Sequence, residues 1–223
     1  MTMSPIPFII LAVLGVGIYA WYSGKKRKEA LAAWALSKGW QLRPGKVKGL
    51  DQEYPGLKIF SKGHSRSASN VIGGQHKGRT IHLMDYKYVT GSGKNSTTHN
   101  VGVALIQTDY PVIPLTIRRE NPFDKVGEFL GADDIDFESA EFSRKFYVKS
   151  NDRKWAYDVI HQRAMDYLLA SPSYSIAFGF QEIAVTKSGH FGPDKYEEAL
   201  DLAVGLYDMI PEYVIQQMKG DAR

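Results

Sequence analysis

Residues 80–108 read TIHLMDYKYVTGSGKNSTTHNVGVALIQT. From Thr80 to Val89 the side chains alternate. His82, Met84, Tyr86 and Tyr88 fall on one face, and Ile81 and Leu83 on the other. A period of two marks a strand, because successive side chains point to opposite faces of a sheet. The alternation resumes at His99 and runs through Val101, Val103 and Leu105 to Thr108. Between the runs, Gly91 to Thr97 is polar and glycine-rich, which predicts a turn. Two strands joined so briefly pair antiparallel.

The pattern extends in both directions. Upstream, Val71-Ile72 leads into Gly73-Gly74, and Lys77-Gly78 turns the chain. Trp40 and Leu42 begin a short extended segment ended by Pro44-Gly45, and strand signal at Leu57 to Phe60 is weak. The patch Ser61 to Asn70 (SKGHSRSASN) has no periodic apolar face and is expected to be a loop. Downstream, Asp109-Tyr110-Pro111 turns the chain into a strand over Val112 to Ile117. Successive strands with short turns predict an antiparallel meander.

The last hundred residues change character. Asn121-Pro122 opens a short helix, Phe123 to Leu130, and Phe142 to Val148 is expected to be a strand. Ser150 or Asn151 caps a helix from Asp152, with Trp155, Ala156, Val159 and Ile160 on one side. That helix either runs to Ala170 or breaks near His161. Ser175 to Ala177 and Glu182 to Val185 pair around Gly179. Pro193 begins a helix whose stripe is Tyr196, Ala199, Leu200, Ala203, Leu206, Tyr207 and Ile210, interrupted by Pro211. The expected fold class is therefore α+β, an antiparallel sheet flanked by helices.

The start of the chain has a different composition. Ile6 to Tyr22 (IPFIILAVLGVGIYAWY) carries no charge, and Lys25-Lys26-Arg27-Lys28 follows. As a helix this run spans about 26 Å, against roughly 30 Å for a bilayer's hydrocarbon core. A cleaved signal peptide needs a positive n-region and a small-residue cleavage site. Met1 to Pro7 has no charged side chain, and the run ends in bulky Tyr19, Trp21 and Tyr22. Aromatic residues at a span's end and basic residues on its cytoplasmic side are what a membrane helix carries. The expectation is a transmembrane helix over residues 1–24, a juxtamembrane helix over 25–39 and a cytoplasmic α+β domain over 40–223. The protein would sit in the inner membrane as a single span, N-terminus outside, with the lipid bilayer as its first partner.

The formal charge is +4, and the cluster Lys25, Lys26, Arg27 and Lys28 accounts for all of it. No field for nucleic acid remains, and no nucleic-acid partner is expected. The chain has no cysteine, which excludes a disulfide framework, a thiolate nucleophile and a Cys-ligated zinc site.

Motifs for chemistry fail on their spacing. Gly93-Lys94 lacks the glycine five residues upstream that a phosphate loop needs, because Tyr88 stands there, and Asn95 replaces the Ser or Thr that should follow. Asp133, Asp134, Asp136 and Glu138 form an acidic knot, but Ser139 and Lys145 occupy the places where an EF-hand needs Gly and Glu. Glu138 and Glu141 instead favour a helix N-terminus. His82 and His99 lie on neighbouring expected strands, a pair that the sheet could bring together, with ordinary polar side chains as the default reading. No catalytic, cofactor-binding or metal-binding residue is assigned, and the basic cluster is the only candidate site.

One stretch resembles a known group. In Gly131 to Ile160, the run Phe137-Glu138-Ser139, then Glu141-Phe142 and Phe146-Tyr147-Val148, then Asp152 and Ala156, resembles a segment of bacterial single-span membrane-anchored proteins of unknown function. In those proteins a span, a basic flank and a helix with Trp-Ala and Gly-Trp pairs precede a β-rich region. Here the pairs are Trp34-Ala35 and Gly39-Trp40. The resemblance implies architecture and an inner-membrane address, without functional residues. The expected function is a binding or assembly module at the membrane with a membrane-protein partner. A membrane-tethered enzyme, a hydrolase, is the alternative.

Overall fold

The structure, a computed structural model, describes residues 6–120 and 135–221, with the backbone alone for residues 6–14 and 221. The helix expected at 123–130, and Asp133 and Asp134 of the acidic knot, lie outside the described residues.

Eight antiparallel strands form one sheet: β1 (Gln41–Val47), β2 (His64–His76), β3 (Arg79–Thr90), β4 (Thr97–Gln107), β5 (Leu115–Arg119), β6 (Phe146–Ser150), β7 (Ser175–Phe178) and β8 (Glu182–Ser188). Their order is β1-β2-β3-β4-β8-β7-β5-β6. The meander thus holds for the first four strands only. The hairpin β7–β8 enters beside β4 and takes the place that a continuous meander would give β5.

Helices α1 (Ile6–Ser37), α3 (Ala140–Lys145), α4 (Arg153–Val159), α5 (Gln162–Ala170), α6 (Pro193–Tyr207) and α7 (Glu212–Asp221) accompany the sheet, and α2 (Leu50–Glu53) is a single turn. The larger core lies on the helix-bearing face. There Ile81, Leu83, Ala104, Ile106, Ile183 and Val185 meet the stripe of α6 and the buried residues of α4 and α5. A smaller core lies on the other face, where Leu50, Tyr54, Leu57 and Phe60 cover Met84, Tyr86, Val103 and Leu105. The two sets of alternating residues in β3 and β4 thus feed two different cores.

Several expectations need correction. Residues 64–70 are part of β2, not a loop. Ser65 and Asn70 have positive φ, and the pairing with β3 slips beside each of them. Two bulges erase the period of two that would mark the strand. β1 continues through Pro44-Gly45 by a similar irregularity between Arg43 and Lys46. Residues 140–145 are helical, with Ser139 Oγ accepting from Phe142 N, and the strand starts only at Phe146. The next helix is capped by Asp152 and breaks at Ile160-His161.

The α1 helix runs unbroken through Gly24. Leu31 and Ala35 are buried against α6 and the sheet, and Trp34 stacks on Tyr196. Gly39, at φ 69, ends the helix, and Trp40 N donates to Ala35 O across the turn. The transmembrane helix expected over 1–24, with its apolar run at 6–22, is not found among the described residues, where no helix is long and apolar enough to cross a membrane. The side chains of 6–14, more than half of that apolar run, lie outside the described residues.

Candidate functional site: the α1 exit and the two clefts of the sheet

The basic cluster does not act as one patch. Lys25, Lys26 and Lys28 are exposed, with Lys25 near Glu29 and beside the Trp21 ring. Arg27 turns inward. Its Nη2 lies 2.6 Å from Asp85 Oδ2 and its Nη1 3.2 Å from Oδ1, and Nη1 also donates to Phe191 O. Asp85 is 4% exposed, on the helix-bearing face of β3. Asn70 Nδ2 donates to the same carboxylate at 2.6 Å, and His190 Nδ1 lies 3.3 Å away. The bulge at Asn70 thus aims a side chain at a buried charge. Tyr196 packs beside this group. Burial first, then the Asp85 charge, holds its phenol well above the ordinary range, so it stays protonated. Gly102 pairs with Asp85, and a Cβ there would meet Phe191 at 2.2 Å, so the sheet admits the Phe191 ring only over a glycine.

N-terminal to this clamp, no described residue packs on α1 between Gly15 and Ser23. Every residue from Gly15 to Ser23 is exposed, on all sides of more than two turns. They include Val16, Ile18, Tyr19, Trp21 and Tyr22, each at least 59% exposed. Contacts fix the helix direction. Arg27 meets Asp85 in mid-strand, Trp34 Nε1 donates to Glu197, and Trp40 Nε1 donates to Gln75 O near the opposite end of β2. Followed backwards, α1 heads for the end of the sheet where Thr90 pairs with Thr97.

Two clefts flank the 50–61 segment on the opposite face. The larger, about 710 Å³, holds Trp40, Arg43, Glu53, Tyr54 and His82. Tyr54 Oη and His82 Nδ1 are 2.7 Å apart. Burial lowers the His82 pKa, and burial with the neighbouring Glu53 raises that of Tyr54. Both groups are therefore neutral at pH 7, a hydrogen-bonded pair. The second cleft, about 430 Å³, lies over β8, β7, β5 and β6. Lys58, Lys62, Arg118, Lys149 and Lys187 line it, and no carboxylate does among the described residues.

His82 and His99 do not meet across the sheet. His99 pairs with Tyr88 and His82 with Leu105, six residues apart along the strands, or about 20 Å. Among the described residues no cluster of three or more His, Asp or Glu is placed to hold a metal. Asp136 and Glu138 are exposed and separate from both clefts. Sequence reasoning missed Asp85 and the second cleft. Asp85 had a signal, an acid on the Ile81/Leu83 face of a clear strand. The cleft's basic residues come from four separate stretches, and nothing in the sequence joins them.

No protein-family model and no curated protein matches the sequence. Among solved structures, the fold is similar to the crystal structure of the mycobacterial trehalose monomycolate transport factor A, TtfA. The TM-score is 0.59 at 15% identity, over 82% of this chain and 93% of that one. At that identity the likeness is one of fold.

Proposed function

We propose that the chain is a binding and assembly module held at a membrane by α1, in a transport or envelope-building process. One observation carries this: the side chains of α1 between Gly15 and Ser23, mostly apolar and aromatic, are exposed on every side, and no described residue covers them. A helix apolar all round needs an apolar surround. The apolar run continues to Ile6 in the sequence, which gives the length of a single span. In this reading Lys25, Lys26 and Lys28 stand at the cytoplasmic boundary of an inner-membrane span, with the sheet on the inner side. The kinship with bacterial single-span membrane-anchored proteins belongs to the same reading. So does the shared fold with a protein named as a transport factor. A membrane-protein partner would complete the assembly.

The enzyme reading rests on the Tyr54–His82 pair alone, which no third group among the described residues is shown to complete into a catalytic set. Membrane fractionation of cells expressing the full chain is the test. The protein should stay in the pellet through alkaline carbonate, and a chain starting at Lys25 should move to the supernatant. Full release of the intact chain by carbonate would overturn the proposal.

A further inference from the structure

We infer that the larger cleft, at β1 and α2, binds a short peptide by its two free ends, the carboxylate on Arg43 and the ammonium on Glu53. The groups that carry this belong to the sheet and to α2, so it stands apart from the anchoring of α1.

Charge comes first. Arg43 comes from β1, and Glu53 is the last residue of α2. Both line the cleft and both are exposed. Among the described residues neither is in an ion pair, with the other or with a third group. Lys38, the remaining cation of the lining, is already held by Glu197 at 2.7 Å. The cleft thus offers one charge of each sign, too far apart to satisfy one another. A ligand that carries both signs meets both. The guanidinium fork matches a carboxylate with two parallel bonds, and a carboxylate accepts from an ammonium in a charge-assisted bond. Burial lowers the His82 pKa, and the charges of Glu53 and Arg43 act on it with opposite signs, so both reach the same imidazole.

The space between the charges suits a peptide backbone. Tyr54 Oη occupies His82 Nδ1 at 2.7 Å, while Nε2 has no hydrogen-bond partner among the described residues. The side-chain amide of Gln41 has none either. Gly73 pairs with Gln41 on one side and with His82 on the other, so no side chain stands between them on that rung. Peptide N–H and C=O groups need such partners when they leave water. The volume, about 710 Å³, is within the range of small-molecule sites and leaves room for a backbone between two charged ends.

The test is calorimetric titration of the full chain, in a neutral maltoside detergent, with triglycine. Parallel titrations use N-acetyl-triglycine, which lacks the ammonium, and triglycine amide, which lacks the carboxylate. Triglycine should bind, and blocking either end should weaken it about tenfold or more, the size of one hydrogen bond to a charged group. Arg43→Gln should weaken triglycine by a similar factor and no longer distinguish it from triglycine amide. Glu53→Gln should no longer distinguish it from N-acetyl-triglycine. Both residues are exposed, so the unfolding midpoints should stay at the wild-type value. Lys46→Gln changes an exposed cation of β1 outside the cleft and should leave binding intact. No binding of triglycine, equal binding of the three peptides, or wild-type preferences in both the Arg43 and the Glu53 variants would each overturn the proposal. Titration in detergent does not depend on membrane anchoring. Release by carbonate with binding intact would sink the anchoring reading alone, and retention without binding would sink the peptide site alone.

Discussion

The guanidinium of Arg27 closes on the carboxylate of Asp85 at 2.6 Å, and this pair ties the helix that leaves the domain to strand β3 inside it. Asp85 is nearly without solvent, whereas the Arg27 side chain keeps 21% exposure. The two ends of the pair are therefore not equivalent. Removing the arginine leaves a buried carboxylate with Asn70, His190 and the Tyr196 phenol beside it and no guanidinium. Removing the carboxylate frees an arginine that can turn to water.

Arg27→Ala should accordingly destabilise the full chain by about 3–5 kcal/mol, the range for a buried charge stripped of its partner. Asp85→Asn should cost clearly less, and Lys26→Ala next to nothing. Chemical unfolding in neutral detergent gives the three values. Equal effects at positions 26 and 27 would mean that the clamp does not hold α1.

Leu200 is fully buried on α6, while Glu197 sits one turn away at the surface, paired with Lys38 at 2.7 Å. Leu200→Ala should cost about 2–5 kcal/mol. Glu197→Ala removes an exposed ion pair, typically about 0–1 kcal/mol. Thermal midpoints of the two variants should separate widely.

His82 makes stability depend on pH. Burial holds its pKa below the ordinary value of 6.5. Above that value both folded and unfolded chains carry a neutral imidazole. Below it the unfolded chain takes up a proton that the folded one resists, so stability falls as the pH drops from about 6.5 toward the lowered folded value. The unfolding midpoint should therefore decline between pH 7 and pH 5, and His82→Gln should flatten that part of the slope.

The two polar stretches of the first hairpins should respond oppositely to change. Residues 91–96 form only a turn between the paired Thr90 and Thr97. Replacing them with Asn-Gly should leave cooperative unfolding in place. Deleting residues 65–70 removes rungs between β2 and β3 and the Asn70 contact to Asp85, and should abolish the transition.

Local pattern and tertiary assembly were legible to different degrees. The strands at 79–90 and 97–107 show in the sequence because each face packs on its own core, so alternation is unbroken. β2 is hidden because bulges at Ser65 and Asn70 shift its register twice. Phe142 and Phe146 fit a strand or a helix by type, and their stacking at 4.6 Å across one turn decides for a helix leading into β6. The insertion of β7–β8 beside β4 depends on pairing between distant segments, which no local window contains. The same holds for the candidate sites. The basic cluster is contiguous and visible, but that Arg27 leaves it to meet Asp85, 58 residues on, is a fact of packing.

The central claim is that α1 crosses a membrane with the sheet on the cytoplasmic side. The chain has no cysteine, so single reporters can be placed cleanly at Ser4→Cys and at Ser173→Cys, an exposed position between α5 and β7. In intact cells a membrane-impermeant thiol reagent should label the first and spare the second until the cells are opened. Labelling at Ser173 in intact cells, with Ser4 protected, would contradict the claim.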